Sequence, residues 1–241
     1  MNLENKIALV TGAGRGIGKA IALALAHQET DLVVTSRTQS ELDAVAKEIE
    51  RLGRKALTVR ADISKESDVN NLLTQTIETF GTVDILVNNA GIGSFSKVVD
   101  MPTKAFDDMW TVNIRGAFLC SRAVVPYMFK QQSGDIINIA SLAGRNSFIG
   151  GAGYCATKWA LIGFARCLML EVREHNIRVV TLCPGSVDTG FGDSEKSGSP
   201  KSSGNIPKAK DIAQVVVDTL LMPRNVMVSE IDIRPTNPKG K

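Results

Sequence analysis

Tyr154 and Lys158 stand four residues apart in Tyr154-Cys-Ala-Thr-Lys158. On a helix this spacing puts a phenol and an ammonium on one face, one turn apart. A phenol with an ordinary pKa of roughly 10 is a poor acid or base near neutrality, and an adjacent cation favours its ionised form. Such a pair could therefore move a proton to or from a substrate oxygen; it could equally be a plain surface contact. Ser141 lies upstream, just past the apolar run Asp135-Ile-Ile-Asn-Ile139, where a hydroxyl could bond a carbonyl oxygen. Asn88-Asn-Ala-Gly91 follows another apolar run in the same way, and Asn113 sits in a long helical stretch. For Ser141 and Asn113 the alternatives are a loop hydroxyl bonded to backbone and a helix-kink asparagine.

A second constellation suits phosphate. Thr11-Gly-Ala-Gly-Arg-Gly-Ile-Gly18 directly follows the apolar run Ile7-Ala-Leu-Val10 and leads into an Ala-rich helical segment. Glycine lets backbone approach a pyrophosphate closely, and a helix amino terminus offers free N–H groups and a favourable dipole. Gly12, Gly14, Arg15, Gly16, Ile17 and Gly18 are the candidate dinucleotide contacts. An acid is usual at the end of the second strand, where it holds ribose hydroxyls. Here that strand ends Val34-Thr-Ser-Arg37. A guanidinium suits a ribose 2′-phosphate, so Ser36 and Arg37, with Arg15 opposite, point to NADP(H). The competing reading leaves both arginines as solvated charges.

These residues need a scaffold, and the hydrophobic pattern supplies one. Strands are expected at 7–10, 31–36, 56–60, 85–88, 135–139, 178–182 and 226–233. Helical segments are expected at 17–26, 40–52, 65–80, 103–129, 153–174 and 211–220. Strict alternation predicts an α/β fold, a seven-stranded parallel sheet with helices on both faces, in a single domain over 1–241. Ligands of such sheets bind at the carboxyl ends of the strands. The segment 190–210, rich in Gly, Ser, Pro and Lys, reads as a mobile substrate loop over that crevice or as a solvated surface loop.

At this point the chain resembles the short-chain dehydrogenase/reductase family over about 6–233, on TGAGRGIG at 11–18, NNAG at 88–91, Asn113, Ser141, Tyr154-xxx-Lys158 and Pro184-Gly185. The resemblance implies a Rossmann fold and direct hydride transfer from NADP(H) to a ketone or aldehyde. It implies Tyr154 as general acid, with Ser141 holding the substrate oxygen. Lys158 would lower the tyrosine pKa and bond the nicotinamide ribose, and Asn113 would anchor a water that refills the proton. It further implies adenine contact by Asp62 with Ile63, and a cofactor lining of Asn88, Asn89, Ala90 and Gly91. Pro184, Gly185 and Val187 would lie at the nicotinamide, whose carboxamide Thr189 would hold. Asp62 could instead cap the helix that follows. The overall likeness is to 3-oxoacyl-[acyl-carrier-protein] reductases, which implies an acyl-thioester substrate. The terminal Glu230-Ile-Asp-Ile-Arg-Pro-Thr-Asn-Pro238 departs from the Val-Asn-Gly-Gly tail of those enzymes and keeps a compact ketone, aldehyde or diketone as the alternative. A non-catalytic NADP(H)-binding regulator is the more distant one.

Composition narrows the remaining classes. Lys and Arg number 28 against 25 acids, a formal charge of +3, and aromatics are 5%, which together argue against a nucleic-acid partner. Two histidines, His27 and His175, are too few for most catalytic metal sites. Cys120, Cys155, Cys167 and Cys183 form no CxxC pair and read as reduced packing residues. The start lacks an apolar leader, and Gly163 and Arg166 interrupt the most apolar helical stretch, so no membrane partner and a cytoplasmic location are expected. The segment 159–170 is apolar nearly all round. It would either be buried within its own chain or pack on a second copy, as in the homodimers and homotetramers that the resemblance implies.

Overall fold

In the computed structural model, residues 2–191 and 206–236 are described. Seven strands form one sheet: β1 (Ile7–Thr11), β2 (Asp31–Ser36), β3 (Ala56–Arg60), β4 (Ile85–Asn88), β5 (Gly134–Ile139), β6 (Ile177–Pro184) and β7 (Glu230–Ile233). Their order is β3-β2-β1-β4-β5-β6-β7, and every neighbouring pair is parallel. Parallel neighbours require crossovers, which are supplied by α1 (Gly16–Ala26), α2 (Gln39–Arg51), α3 (Glu66–Phe80), α4 (Thr103–Trp110), α5 (Ala117–Gln131), α6 (Ala152–Val172) and α7 (Ala209–Leu220).

Because side chains alternate along a strand, the two faces separate cleanly. In β1, Ala8 and Val10 join a core with Ile21 and Leu25 of α1, Val45 of α2 and Val216 of α7. Ile7 and Leu9 face the opposite way, into a core with Leu72 of α3, Val124 of α5 and Leu168 of α6. Burial on both faces explains why the strands read as continuous apolar runs. Strand order reverses between β1 and β4, and the connections on either side diverge there, leaving a crevice at their carboxyl ends.

Two expected elements differ. The stretch 103–129 is not one α-helix, since a π-helical segment, Thr111–Gly116, separates α4 from α5. Gly116 allows close packing there: a Cβ on it would stand 2.5 Å from Ile63 Cδ1. The last strand begins at Glu230 rather than 226. Arg178 takes the carbonyl of Val226 at 3.3 Å and that of Met222 at 3.0 Å, drawing this stretch away from the ladder. Most of the expected loop at 190–210, with Lys196 and Lys201, lies outside the described residues. Its flanks, Gly190, Phe191 and Ile206, border the crevice.

Candidate active site

A cleft of about 1290 Å³ runs along the carboxyl ends of the strands. At one end the turn after β1 forms its floor. Gly12 has φ +64°, and a Cβ there would lie 2.8 Å from Ala90 Cα, so the turn needs glycine for conformation and space alike. Asn89 ties this turn to β4, donating from Nδ2 to the carbonyls of Thr11 at 2.9 Å and Gly12 at 3.2 Å. Helix α1 begins at Gly16 with no side-chain cap and no acid in its first turn. Its leading N–H groups and positive dipole end therefore suit a pyrophosphate.

Gly12, Gly14, Arg15, Ile17, Ser36, Arg37, Asp62, Ile63, Asn89, Ala90, Gly91, Pro184, Gly185, Val187 and Thr189 line the cleft as expected. Three expected contacts do not. Gly16, at φ +57°, is not among the lining residues although its Cβ position lies 3.5 Å from Thr189, and a Cβ on Gly18 would strike the carbonyl of Gly12. Asn88 points into the protein, donating 3.0 Å bonds to Ser121 and Asn138. Successive strand residues face opposite ways, so of the asparagine pair only Asn89 reaches the cleft. Asp62 does not cap α3, whose N-cap is Lys65; its Oδ1 accepts from the Ser64 N–H at 3.1 Å and hydroxyl at 2.7 Å. Burial works to raise the Asp62 pKa, but the Ser64 bonds and the charges of Arg37 and Lys65 hold it below the usual range.

At the other end stand Ser141, Tyr154 and Lys158. Ser141 ends the strand–turn after β5 and accepts from the Ala143 N–H at 3.1 Å, while its side chain also bonds the Tyr154 hydroxyl. Lys158, one turn along α6, donates to the Ile139 carbonyl at 2.9 Å, with Nζ 5.7 Å from the Tyr154 ring centre. The expected lowering of the phenol pKa is not seen. Burial pushes Tyr154 up to about 12, opposed by its bond to Ser141, and burial lowers Lys158 to about 8. Desolvation is the dominant cause at both groups. Asn113 is buried beside the cleft rather than in it. It accepts from the Ile92 N–H at 2.8 Å and donates to the Ile92 carbonyl at 2.9 Å and to Thr157 at 3.0 Å. The π-helical segment supplies this placement, clamping the β4 loop to α6.

Several lining residues were not singled out by the sequence patterns. Phe95 meets Tyr154 edge-on at 5.4 Å, Phe191 lies 6.0 Å from it, and Phe148 packs on Phe95 at 5.9 Å. Their signal was present: each is a large aromatic in a segment that follows the carboxyl end of β4, β5 or β6. Glu41 of α2 and Pro235, beyond β7, also line the cleft.

The family model for short chain dehydrogenases matches residues 6–199. The chain is a short-chain dehydrogenase. Among curated relatives of this short-chain dehydrogenase, the sepiapterin reductase of Chlorobaculum tepidum is 36% identical over 96% of each chain. The NADP-dependent 3-hydroxy acid dehydrogenase of Schizosaccharomyces pombe is 32% identical, covering 99% of this chain and 95% of its own. Among solved structures, the alcohol dehydrogenase of the archaeon Thermococcus sibiricus, complexed with 5-hydroxy-NADP, superposes with a TM-score of 0.90 at 30% identity, covering 99% of this chain and 100% of that one. The short-chain dehydrogenase is accordingly an NAD(P)-binding oxidoreductase acting at CH–OH. Among the described residues, no helix is long and apolar enough to cross a membrane.

Proposed function

We propose that the whole chain works as one unit, an NADPH-dependent reductase of ketones or aldehydes. The observation that carries this reading is the grouping of Ser141, Tyr154 and Lys158 on one wall of a cleft whose far end is a glycine turn. Arg15, Ser36 and Arg37 would hold a ribose 2′-phosphate and Asp62 the adenine. Pro184, Gly185, Val187 and Thr189 would hold the nicotinamide amide. A nicotinamide dinucleotide bound there supplies the hydride.

The chain's own residues manage the substrate oxygen and its proton. Ser141 holds the carbonyl oxygen, and Tyr154 gives it a proton. A phenol held to about 12 carries its proton throughout the physiological range but gives it up reluctantly, so the transfer relies on help from Lys158. Lys158, cationic below about 8, stabilises the phenolate left behind. Asn113 fixes the Ile92 backbone and thereby the wall beside Lys158. Tyr154→Phe should lower kcat by about 10²- to 10⁴-fold while leaving the NADPH Kd within about twofold; retained turnover would refute the acid assignment.

The aromatic group of Phe95, Phe148 and Phe191 around Tyr154 favours a compact, apolar carbonyl compound or diketone, because flat rings cover a small planar substrate well. The names of the relatives, a pterin reductase and a hydroxy acid dehydrogenase, accord with a small-molecule substrate. An acyl thioester on an acidic carrier is the second reading, favoured by Lys208 and Lys210 at the near edge of the lysine-bearing loop. NADPH oxidation with an acetoacetyl thioester beside small diketones and aldehydes separates the two. A kcat/KM above about 10⁴ M⁻¹s⁻¹ for the compact compounds alone supports the first, and for the thioester alone the second.

We propose a second copy as the protein partner. Trp159, Gly163, Arg166, Cys167 and Leu170 form an exposed stripe on α6, and Trp159 and Leu170 are 52% and 58% exposed. An apolar stripe of this kind fits an isologous dimer, or one interface of a tetramer.

A further inference from the structure

The cleft end below β2 and β3 is lined by four charged side chains, Arg15, Arg37, Asp62 and Glu41. Asp62 is engaged by Ser64, and the charge of Arg37 bears on it. Glu41 is different. Among the described residues its carboxylate has no hydrogen-bond or ion-pair partner, yet Oε2 lies 2.6 Å from the point a Cβ on Gly14 would occupy. The Ser36 hydroxyl lies 3.2 Å from that same point. The carboxylate therefore hangs over the glycine turn, among the groups that would receive the adenosine ribose.

A helix-capping duty does not explain this position. Glu41 is the third residue of α2 after its N-cap, Thr38, where an acid ordinarily reaches back to the N-cap N–H. In α7 that bond is made, from the Lys208 N–H to Asp211 Oδ2 at 2.7 Å. In α2 the Thr38 N–H is instead taken by Ser36 Oγ at 3.3 Å, and the Glu41 side chain is left to face Gly14.

We propose that Glu41 sets the balance between NADPH and NADH. Its negative charge opposes the 2′-phosphate that Arg15 and Arg37 attract, and its oxygens are acceptors for the ribose hydroxyl of the unphosphorylated dinucleotide. The chain is then less selective for NADPH than its two arginines alone would make it. This rests on the reading that the cleft binds a nicotinamide dinucleotide.

The test is the Kd of NADPH and of NADH for the full chain, by cofactor fluorescence, in the parent, Glu41→Gln and Glu41→Asp, with Asp43→Asn as a charge control on the same helix. The Glu41→Gln change keeps the side chain's size and removes its charge. The NADPH Kd should fall about tenfold, with the NADH Kd unchanged or raised two- to threefold. The shift should shrink at about 1 M salt, and Glu41→Asp, which withdraws the carboxylate by one methylene, should fall between. Asp43→Asn should move neither constant. A Kd ratio in Glu41→Gln within twofold of the parent's would overturn the inference, as would equal movement of both constants, which would leave Glu41 a helix residue only. A parent that binds neither dinucleotide would defeat the underlying functional reading and this inference with it.

Discussion

Lys158 is a cation held in a place that disfavours cations. Burial lowers its pKa to about 8 from 10.5, so the folded chain binds fewer protons than the unfolded one between those values. By linkage, stability is reduced by about 3 kcal/mol below pH 8 and recovers as pH rises from 8 to 10.5. Lys158→Met removes this cost and leaves the Ile139 carbonyl without its donor, a loss of about 1 kcal/mol. The variant should therefore be about 2 kcal/mol more stable at pH 7 and inactive, with the advantage turning into a deficit of about 1 kcal/mol near pH 10.5; paired denaturant melts at the two pH values check this. For the same reason, reduction by the parent should decline as pH rises through about 8. Helical spacing put Tyr154 and Lys158 on one face and the strand end put Ser141 at the crevice edge, but it was the family resemblance that made one site of the three. Glu41 was not. Its side chain could serve its own helix or the cleft, and only the bond between Thr38 and Ser36 decides which.

Strands were legible because burial on both faces writes an uninterrupted apolar run, and β2, β3 and β4 fall on the expected residues. The π-helical segment was invisible, since it adds one residue to a turn without changing which residue types are apolar. The terminal strand was overextended because Val226, Met227 and Val228 read as an apolar run, while the carbonyl of Val226 is taken by Arg178 instead of by the ladder. The unusual tail gains a role at this scale. Glu230 and Asp232 of β7 both receive Arg145, which closes the turn carrying Ser141, and Arg166 of α6 joins Glu230 at 2.6 Å. Hydrogen bonds from Arg166 and Arg145 outweigh burial and hold the Glu230 pKa near 2, so this clamp persists across the working pH range. Arg145→Met should lower kcat about 10- to 100-fold through a displaced Ser141, with the dinucleotide Kd unchanged. Steady-state rates beside equilibrium titration would show whether the two separate.

Across the whole molecule, the edge opposite the cleft is held by charge. Asp135, buried at the start of β5, accepts from Arg178 at 2.6 Å and Arg224 at 2.7 Å, and Arg178 also caps the Leu220 carbonyl at 2.9 Å. Asp135→Ala strands a buried guanidinium, which should cost about 3–5 kcal/mol and lower Tm by roughly 10 °C in calorimetry. Catalysis per folded molecule should hold, since the cluster is at the far ends of the strands. The α6 stripe makes a separate prediction. Trp159→Glu should convert the proposed dimer to monomer in light scattering, whereas an unchanged mass would count against this interface. Of the four thiols, Cys120, Cys155 and Cys183 are buried, and Cys167 lies exposed on that stripe. The chain therefore carries its own single attachment point for a nitroxide or fluorophore, and dipolar broadening between labels could report the meeting of two copies without any engineered residue.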